Sequence, residues 1–451
     1  MDTVAGVEKI LPEGSDIRPD FVPAARYTAV DVTAREKAYL WPRVWHIVCR
    51  EEEVPEVGDY VTYEIFDESI VVIRTTATQI KAYYNVCQHR GRRLLDPGSG
   101  RTRGFFCKFH GWKYHLDGSI AHVHRKEEWA QCPQFRDTEL SLKEPRLDTW
   151  GGWVWVNMDP AAPALKDWLG EKLVSTLRPF EFQTLRRKFH EVIIAPVNWK
   201  VVVEAFNEGY HSGATHNHWL DYYPMRAPAE VHGRHAMYFT LFGSALPQAK
   251  RENGVWSATK TVQELLYYQS KEIHDTLFAL VPDPMMKAVT RLRDETPPDM
   301  PVEQLYVELW NLHKEELEAT GAKWPSELRL EDLGAAGTSW HIFPNTILLP
   351  APDGVLWYRM RPYGDDPHQC IFDIWSLNRY APGTEPEVRP HVTHGFEAFR
   401  GRNPFLEQDF DNMLAVDRGM ESRGWSGART NPAEEATITH FHRMLDQYNK
   451  G

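Results

Sequence analysis

Between Trp45 and Val156 the chain breaks into short apolar runs separated by turn residues. Residues 60–66 alternate, which places Val61, Tyr63 and Ile65 on one face. Asp67-Glu68-Ser69 reads as a turn into a second run at 70–74. Further runs stand at 80–85, 104–107, 119–123 and 153–157. A period of two in many short segments predicts a small all-β module, sandwich or barrel-like. An arm and a short helix at 32–39 precede it, and Pro160 and Pro163 mark a boundary just after it. The remaining pattern is mixed. Strands are expected at 191–195, 238–243, 347–349, 354–361 and 369–378, and helices at 199–211, 404–420 and 433–448. The stretch 260–333 has helical periodicity interrupted at Pro282, Pro284, Pro297, Pro298 and Pro301. The fold class is therefore α+β. Its parts are an arm (1–40) packing with the second domain, an all-β domain (41–158), and a larger domain (159–451) with an antiparallel sheet covered by helices.

Composition narrows the partners. Among 451 residues, 51 Lys and Arg against 63 Asp and Glu give a net charge of −12, which repels nucleic acid and anionic membranes. No run approaches the roughly 18 apolar residues of a membrane span. The opening residues lack a basic stretch before an apolar one, so the expected compartment is the cytoplasm. Five cysteines, an odd number, argue against a disulfide framework, so a cysteine that matters should be a ligand or a nucleophile. Gly98, Gly100 and Gly104 miss the dinucleotide-binding spacing, so no flavin or nicotinamide site is expected.

Two constellations carry chemistry. The first is Cys87-Gln88-His89 with Cys107-Lys108-Phe109-His110, both flanked by glycines that let a loop turn sharply. A lone cysteine is usually a small buried hydrophobe, and His115, His122, His124, Cys49, Cys132 and Cys370 read as surface or packing residues. Zinc fingers pair Cys with Cys and His with His. Here each loop offers one of each, an order that suits a [2Fe–2S] centre with two Cys on one iron and two His on the other, with zinc as the competing reading. The segments 85–94 and 107–114, followed by Asp117-Gly118, resemble the cluster loops of Rieske non-haem iron ring-hydroxylating oxygenases, large (α) subunit. The resemblance implies Cys87 and Cys107 on one iron, His89 and His110 on the other, and Trp112 as a shield of the cluster.

The second constellation runs from Asn198 to His216. On a continuous helix Glu208 and His211 lie roughly 60° apart and Glu204 falls almost in line with His211. His216 would stand roughly 140° from His211, so a bend at Gly213 is expected to let the imidazoles converge. Two His and one carboxylate make the facial triad of non-haem Fe(II) oxygenases, which leaves positions open for O₂ and substrate. The resemblance extends here. It implies iron ligands His211 and His216, and Glu208 as the carboxylate that joins His211 to His110 of a neighbouring subunit in a head-to-tail homotrimer (α3, or α3β3 with a small subunit). Many aromatic-ring relatives carry Asp at this place, and this chain has Glu. Glu204 is a supporting or a structural residue. The segment Phe405-Leu406-Glu407-Gln408-Asp409 resembles the family segment whose Asp completes the triad, which gives Asp409 that role, with Asp411 as the competitor. Residues 340–345 resemble a strand beside the pocket. The likeness covers roughly residues 40–425.

The leading expectation is a terminal oxygenase that takes electrons from a ferredoxin or reductase and cis-dihydroxylates a small hydrophobic, aromatic substrate. The alternative uses the same metals for mono-oxygenation or oxidative O- or N-demethylation, and Glu208 is reminiscent of relatives acting on quaternary amines. A Rieske electron carrier without catalytic iron is a weaker reading. Phe206, Asn207, Trp219, residues 265–280, Phe343 and Leu348 are the expected pocket walls.

Overall fold

The structure is a computed structural model and describes residues 16–216, 225–242, 250–252, 255–257, 261–277 and 280–449. It divides into two units, Lys37–Trp168 and a second made of Met1–Glu36 with Leu169–Gly451.

The first unit is the predicted β module. Strands Asp59–Ile65, Glu68–Thr76, Gln79–Tyr84 and Ser99–Arg101 form one sheet, and Phe105–Phe106, Lys113–Tyr114 and Ile120–His122 form another. A third joins Arg146–Trp150, Trp153–Asn157 and His46–Arg50. Tyr63 and Ile65 are buried, as the alternation requires. The first hairpin turns at Phe66-Asp67, not over Asp67–Ser69, because Ile65 pairs Glu68 and Glu64 pairs Ser69. Phe66 takes φ 48°, the left-handed conformation a two-residue hairpin turn requires. Ser99–Arg101 was invisible to patterning because it has no apolar side chain. The core packs Val71, Ile73, Tyr83, Phe105 and Trp112 around Cys87 and Cys107.

The second unit is built on an eight-stranded sheet. In order across it lie Ala229–His232, His235–Tyr238, Ser339–Ile342, Thr346–Ala351, Gly354–Pro362, Cys370–Asn378, Arg186–Ala195 and His391–His394. All neighbours are antiparallel except the last pair, which is parallel. Every residue of Cys370–Asn378 is buried, as suits a central strand covered on both faces. Asp373 clamps this strand to its neighbours. His190 Nε2 lies 3.0 Å from Asp373 Oδ1, and Arg359 Nη2 donates to Oδ2 at 2.8 Å. Burial disfavours the carboxylate charge, but the Arg359, His190 and Arg361 partners outweigh it and hold its pKa well below the usual range.

Seven helices are used below: α1 (Trp199–Phe206), α2 (Ser212–Thr215), α3 (Val262–Leu277), α4 (Asp283–Glu295), α5 (Val302–Ala319), α6 (Pro404–Met420) and α7 (Ala436–Tyr448). Helices α4 and α5 start where the prolines predicted interruptions, with Pro282 and Pro301 at their N-caps. Asn403 caps α6 by accepting from Leu406 N, and Pro404 occupies the first turn. The predicted helix over 199–211 is corrected: it stops at Phe206. The expected strand over 238–243 is split into His235–Tyr238 and Leu241–Phe242, and Gly243 lies outside the described residues. The helix expected at 32–39 spans Val30–Arg35 and continues as a wider π-helical turn over Glu36–Leu40. Glu36, at the end of the arm, accepts from Lys200 Nζ at 2.8 Å and Trp199 Nε1 at 3.0 Å, which anchors the arm to α1. Among the described residues no helix is long and apolar enough to cross a membrane.

Candidate functional site

The two loops of the first unit are near copies in backbone. Cys87 N donates to Arg92 O and Gly91 N to Cys87 O, at 2.9 and 3.0 Å. Cys107 N donates to Trp112 O and Gly111 N to Cys107 O at the same two distances. Gly91 and Gly111 sit at φ 74° and 75°, where a side chain would be strained. The loops bring the His89 and His110 rings to 4.5 Å between centroids, and Trp112 stacks on His89 at 4.8 Å. Both cysteines are buried and free of any disulfide. Burial, opposed by the Tyr114 hydroxyl at 3.3 Å and reinforced by the adjoining Cys107 thiol, raises the Cys87 pKa. Nδ1 of His89 and Nδ1 of His110 are buried with no hydrogen-bond partner among the described residues. Buried polar atoms are rarely left so, and two thiols with two unsatisfied imidazole nitrogens are the donor set of a Rieske cluster. His115, His122 and His124 are exposed. Cys49 and Cys370 are buried packing residues, whereas Cys132, expected to pack, is exposed in a turn after Trp129.

The second constellation is assembled by a helix break. Asn207 is buried, and its Nδ2 donates to Thr437 O while Thr437 Oγ1 donates to Asn207 O at 2.5 Å. This contact with α7 ends α1, so Glu208 and His211 meet in a turn and not along one helix face. Gly209 is required there, since a Cβ would come within 2.5 Å of Ala227 Cβ. Gly213, expected at the bend, lies inside α2. Glu208 Oε2 accepts from His211 N at 3.0 Å, and its Oε1 lies 2.6 Å from His211 Nδ1. The turn and α2 then deliver His216.

His211, His216 and Asp409 converge, with one ligand atom of each within 4.8 Å of the others. Asp409 Oδ1 lies 3.1 Å from His216 Nε2 and 3.7 Å from His211 Nε2. Asp411 faces outward in an exposed ion pair with Arg400. Both imidazoles are oriented from behind. Glu208 accepts from Nδ1 of His211, and Gln408 Oε1 accepts from Nδ1 of His216 at 2.7 Å. With Nδ1 protonated, each Nε2 turns its lone pair toward the place a metal shared with Asp409 would take, and an oxygen acceptor on the far nitrogen raises ligand basicity. The His216 ring also stacks on Phe405 at 3.9 Å. Burial opposes a charge on His211, but Glu208 and then Asp409 raise its pKa to about 9. The sequence reading missed Gln408; its place beside Asp409 on α6 was the available signal.

Two cavities flank the triad and share Ala205, His211 and Asp409. One, about 230 Å³, is lined chiefly by apolar side chains including Phe206, Ile273, Leu280, Leu349 and Phe405. The other, about 320 Å³, carries Glu204, Glu208 and Glu435. Glu204 accepts from Tyr27 Oη at 3.0 Å, and its Oε1 lies 2.6 Å from His442 Nε2. Burial raises its pKa to about 8, with Tyr27 and Lys200 opposing and Glu208 adding to the shift. Burial, then Glu208 and Glu204, likewise raise Glu435 to about 7 against an opposing hydrogen bond from Asn431.

Of the expected pocket walls, Phe206 and parts of α3 line the apolar cavity. Asn207 instead ties to Thr437, Phe343 packs on Tyr448, and Leu348 yields to Leu349 because neighbours on a strand point to opposite faces. Trp219 lies outside the described residues.

Comparisons with known proteins follow this geometry. Residues 182–451 match the family "Ring hydroxylating alpha subunit (catalytic domain)" and residues 44–136 match "Rieske [2Fe-2S] domain". The carnitine monooxygenase oxygenase subunit of Escherichia coli K12 is 32% identical over 53% of this chain and 63% of its own length, so the match spans under two thirds of that relative. The glycine betaine monooxygenase oxygenase subunit of Chromohalobacter salexigens is 31% identical over 43% of each chain, and the biphenyl 2,3-dioxygenase α subunit of Rhodococcus jostii RHA1 is 28% identical over 42% of each. A quaternary ammonium Rieske monooxygenase solved with L-carnitine superposes with a TM-score of 0.64 at 19% identity, over 98% of this chain and 99% of that one. A naphthalene 1,2-dioxygenase solved with indole gives 0.63 at 17% identity, over 96% and 92%.

Proposed function

The chain belongs to the Rieske non-haem iron ring-hydroxylating oxygenases, as an α subunit, and from that premise we propose that it is a mono-oxygenating terminal component. Such an enzyme places one atom of O₂ in a C–H bond of a small molecule: R–CH₃ + O₂ + 2e⁻ + 2H⁺ gives R–CH₂OH and water. At a methyl on nitrogen or oxygen the product loses formaldehyde, which is oxidative demethylation. The carrying observation is Glu208 behind His211, taken with two relatives above 30% identity that are both named as monooxygenases.

The family's Rieske cluster and mononuclear iron supply electron transfer and O₂ activation when bound. The rest falls to side chains. Cys87, Cys107, His89 and His110 would hold the cluster, and His211, His216 and Asp409 the mononuclear iron. Glu208 and Gln408 fix the two imidazole planes and their tautomers. The apolar cavity excludes water and positions substrate beside Asp409. Glu208 also lines the acidic cavity, where a neighbouring subunit's cluster would be received in a homotrimer. Electrons would come from a separate reductase, with or without a ferredoxin.

Turnover under ¹⁸O₂ tests the reading: one labelled atom in the product, or formaldehyde release, supports it. A second reading, cis-dihydroxylation, is favoured by the apolar cavity and the biphenyl dioxygenase relative. It requires two labelled atoms in a diol, and that result would replace the first reading. About three irons and two sulfides per chain are expected in anaerobically prepared protein; zinc without sulfide would end both.

A further inference from the structure

The apolar cavity beside the metal ligands says what kind of molecule it can hold. Among its described lining residues there is no Lys and no Arg. The fixed charge within it is the Asp409 carboxylate, and a second carboxylate, Glu208, stands behind His211. Apart from the iron that the triad would hold, a substrate carboxylate placed here would meet no Lys or Arg among the described lining residues and would face the Asp409 and Glu208 carboxylates.

Two of the polar groups in the walls are occupied with each other. Thr338 Oγ1 donates to Thr240 Oγ1 at 2.8 Å and in turn accepts from Thr240 N at 2.8 Å. Tyr358 differs. Its side chain is 2% exposed, it lines the cavity, and its hydroxyl makes no hydrogen bond to a described residue. The ring is held by Phe206 at 4.6 Å and Phe372 at 5.4 Å, so the hydroxyl is fixed in direction before anything binds. Burial, followed by the Asp409 charge, keeps the phenol well above its ordinary pKa, so it remains a donor at working pH.

We propose that the cavity takes an uncharged substrate, apolar over most of its surface, with one hydrogen-bond acceptor that meets Tyr358 Oη, and that it discriminates against carboxylates. Tyr358 is then the residue that chooses which face of the substrate lies toward Asp409. The inference rests on the oxygenase reading and departs from what its relatives' names suggest, since carnitine carries a carboxylate.

Isothermal titration of the iron-loaded protein without O₂ tests it, with three probes: 1-indanone (uncharged, one acceptor), indane (the same body without the acceptor) and L-carnitine. 1-Indanone should bind at least tenfold more tightly than L-carnitine. Tyr358→Phe should weaken 1-indanone about two- to tenfold, the worth of one neutral hydrogen bond, and leave indane within twofold. Iron content and melting temperature of the variant report whether it is folded. Tighter binding of L-carnitine, an equal effect of Tyr358→Phe on ketone and hydrocarbon, or no binding of either ring compound would overturn the proposal. The two levels separate cleanly. Two labelled oxygens in a product would end the mono-oxygenation reading with this binding order intact, whereas tight L-carnitine binding would end this inference and leave that reading standing.

Discussion

Gln408 offers the sharpest test of how the metal ligands are held. Its Oε1 accepts from His216 Nδ1 at 2.7 Å, while Phe405 stacks on the same ring at 3.9 Å. In Gln408→Leu the stacking stays and the acceptor goes. The buried Nδ1–H then loses its Gln408 acceptor at a cost of about 1–3 kcal/mol, and the ring relieves it by flipping or changing tautomer, either of which withdraws Nε2 from the metal. Lost partners of this kind lower metal affinity about 10–100-fold, or about 1.4–2.7 kcal/mol, so the two routes to the magnitude agree. Gln408→Glu keeps the acceptor and adds charge, which makes a stronger hydrogen bond. The assay is anaerobic Fe(II) titration of apoprotein against a competing chelator, with circular dichroism to confirm α6. We expect the Leu variant to lose one to two orders of magnitude and the Glu variant to match or exceed the parent. A Leu variant within twofold of the parent would refute the reasoning. Equal losses in both variants would refute it too, because side-chain shape, and not the acceptor, would then matter.

Three further outcomes are expected. Asp373→Asn leaves the buried Arg359 and His190 without their anionic partner and should lower stability by about 3–5 kcal/mol in denaturant melts; because the Asp373 pKa is depressed, its contribution is present above the ordinary carboxylate range and is lost as pH falls below it. Tyr114→Phe removes the hydroxyl 3.3 Å from Cys87 Sγ and should lower the cluster potential by about 20–60 mV, read by protein-film voltammetry, since a hydrogen bond to sulfur favours the reduced state. The Glu204 pKa is raised from 4.5 to about 8, so the folded state binds the extra proton; its contribution to stability is complete below pH 4.5 and fades as pH rises through about 8. Glu204→Gln should therefore show a flatter fall in stability over that range than the parent, and parallel curves would disprove the assignment.

Local chemistry made some elements legible and distance hid others. Helix α6 could be read over its full span because Asn403 and Pro404 mark its start within the sequence. Cys87, His89, Cys107 and His110 were legible as a set because each loop carries its own glycine and both ligand types. The end of α1 was not, since it is imposed by Thr437, which lies 230 residues from Asn207. Nothing near Glu204 announces Tyr27 and His442 as partners, 177 and 238 residues away. Choosing Leu348 over Leu349 was a matter of strand phase, which a run of apolar residues leaves open.

The ligand set is also a partition wall. Ala205, His211 and Asp409 are seen from both cavities, one greasy and the other acidic. On the reading proposed above, substrate would lie against one side of that wall and electrons would reach the metal ligands from the other through Glu208. Both sides draw on residues 201–216 and on α6, but α3 and the sheet contribute to the first alone, and Glu435 and Ile438 to the second alone. Substitutions in α3 and the sheet can therefore reshape the apolar side while leaving the acidic side as it is, whereas a change in α1, α2 or α6 is felt on both.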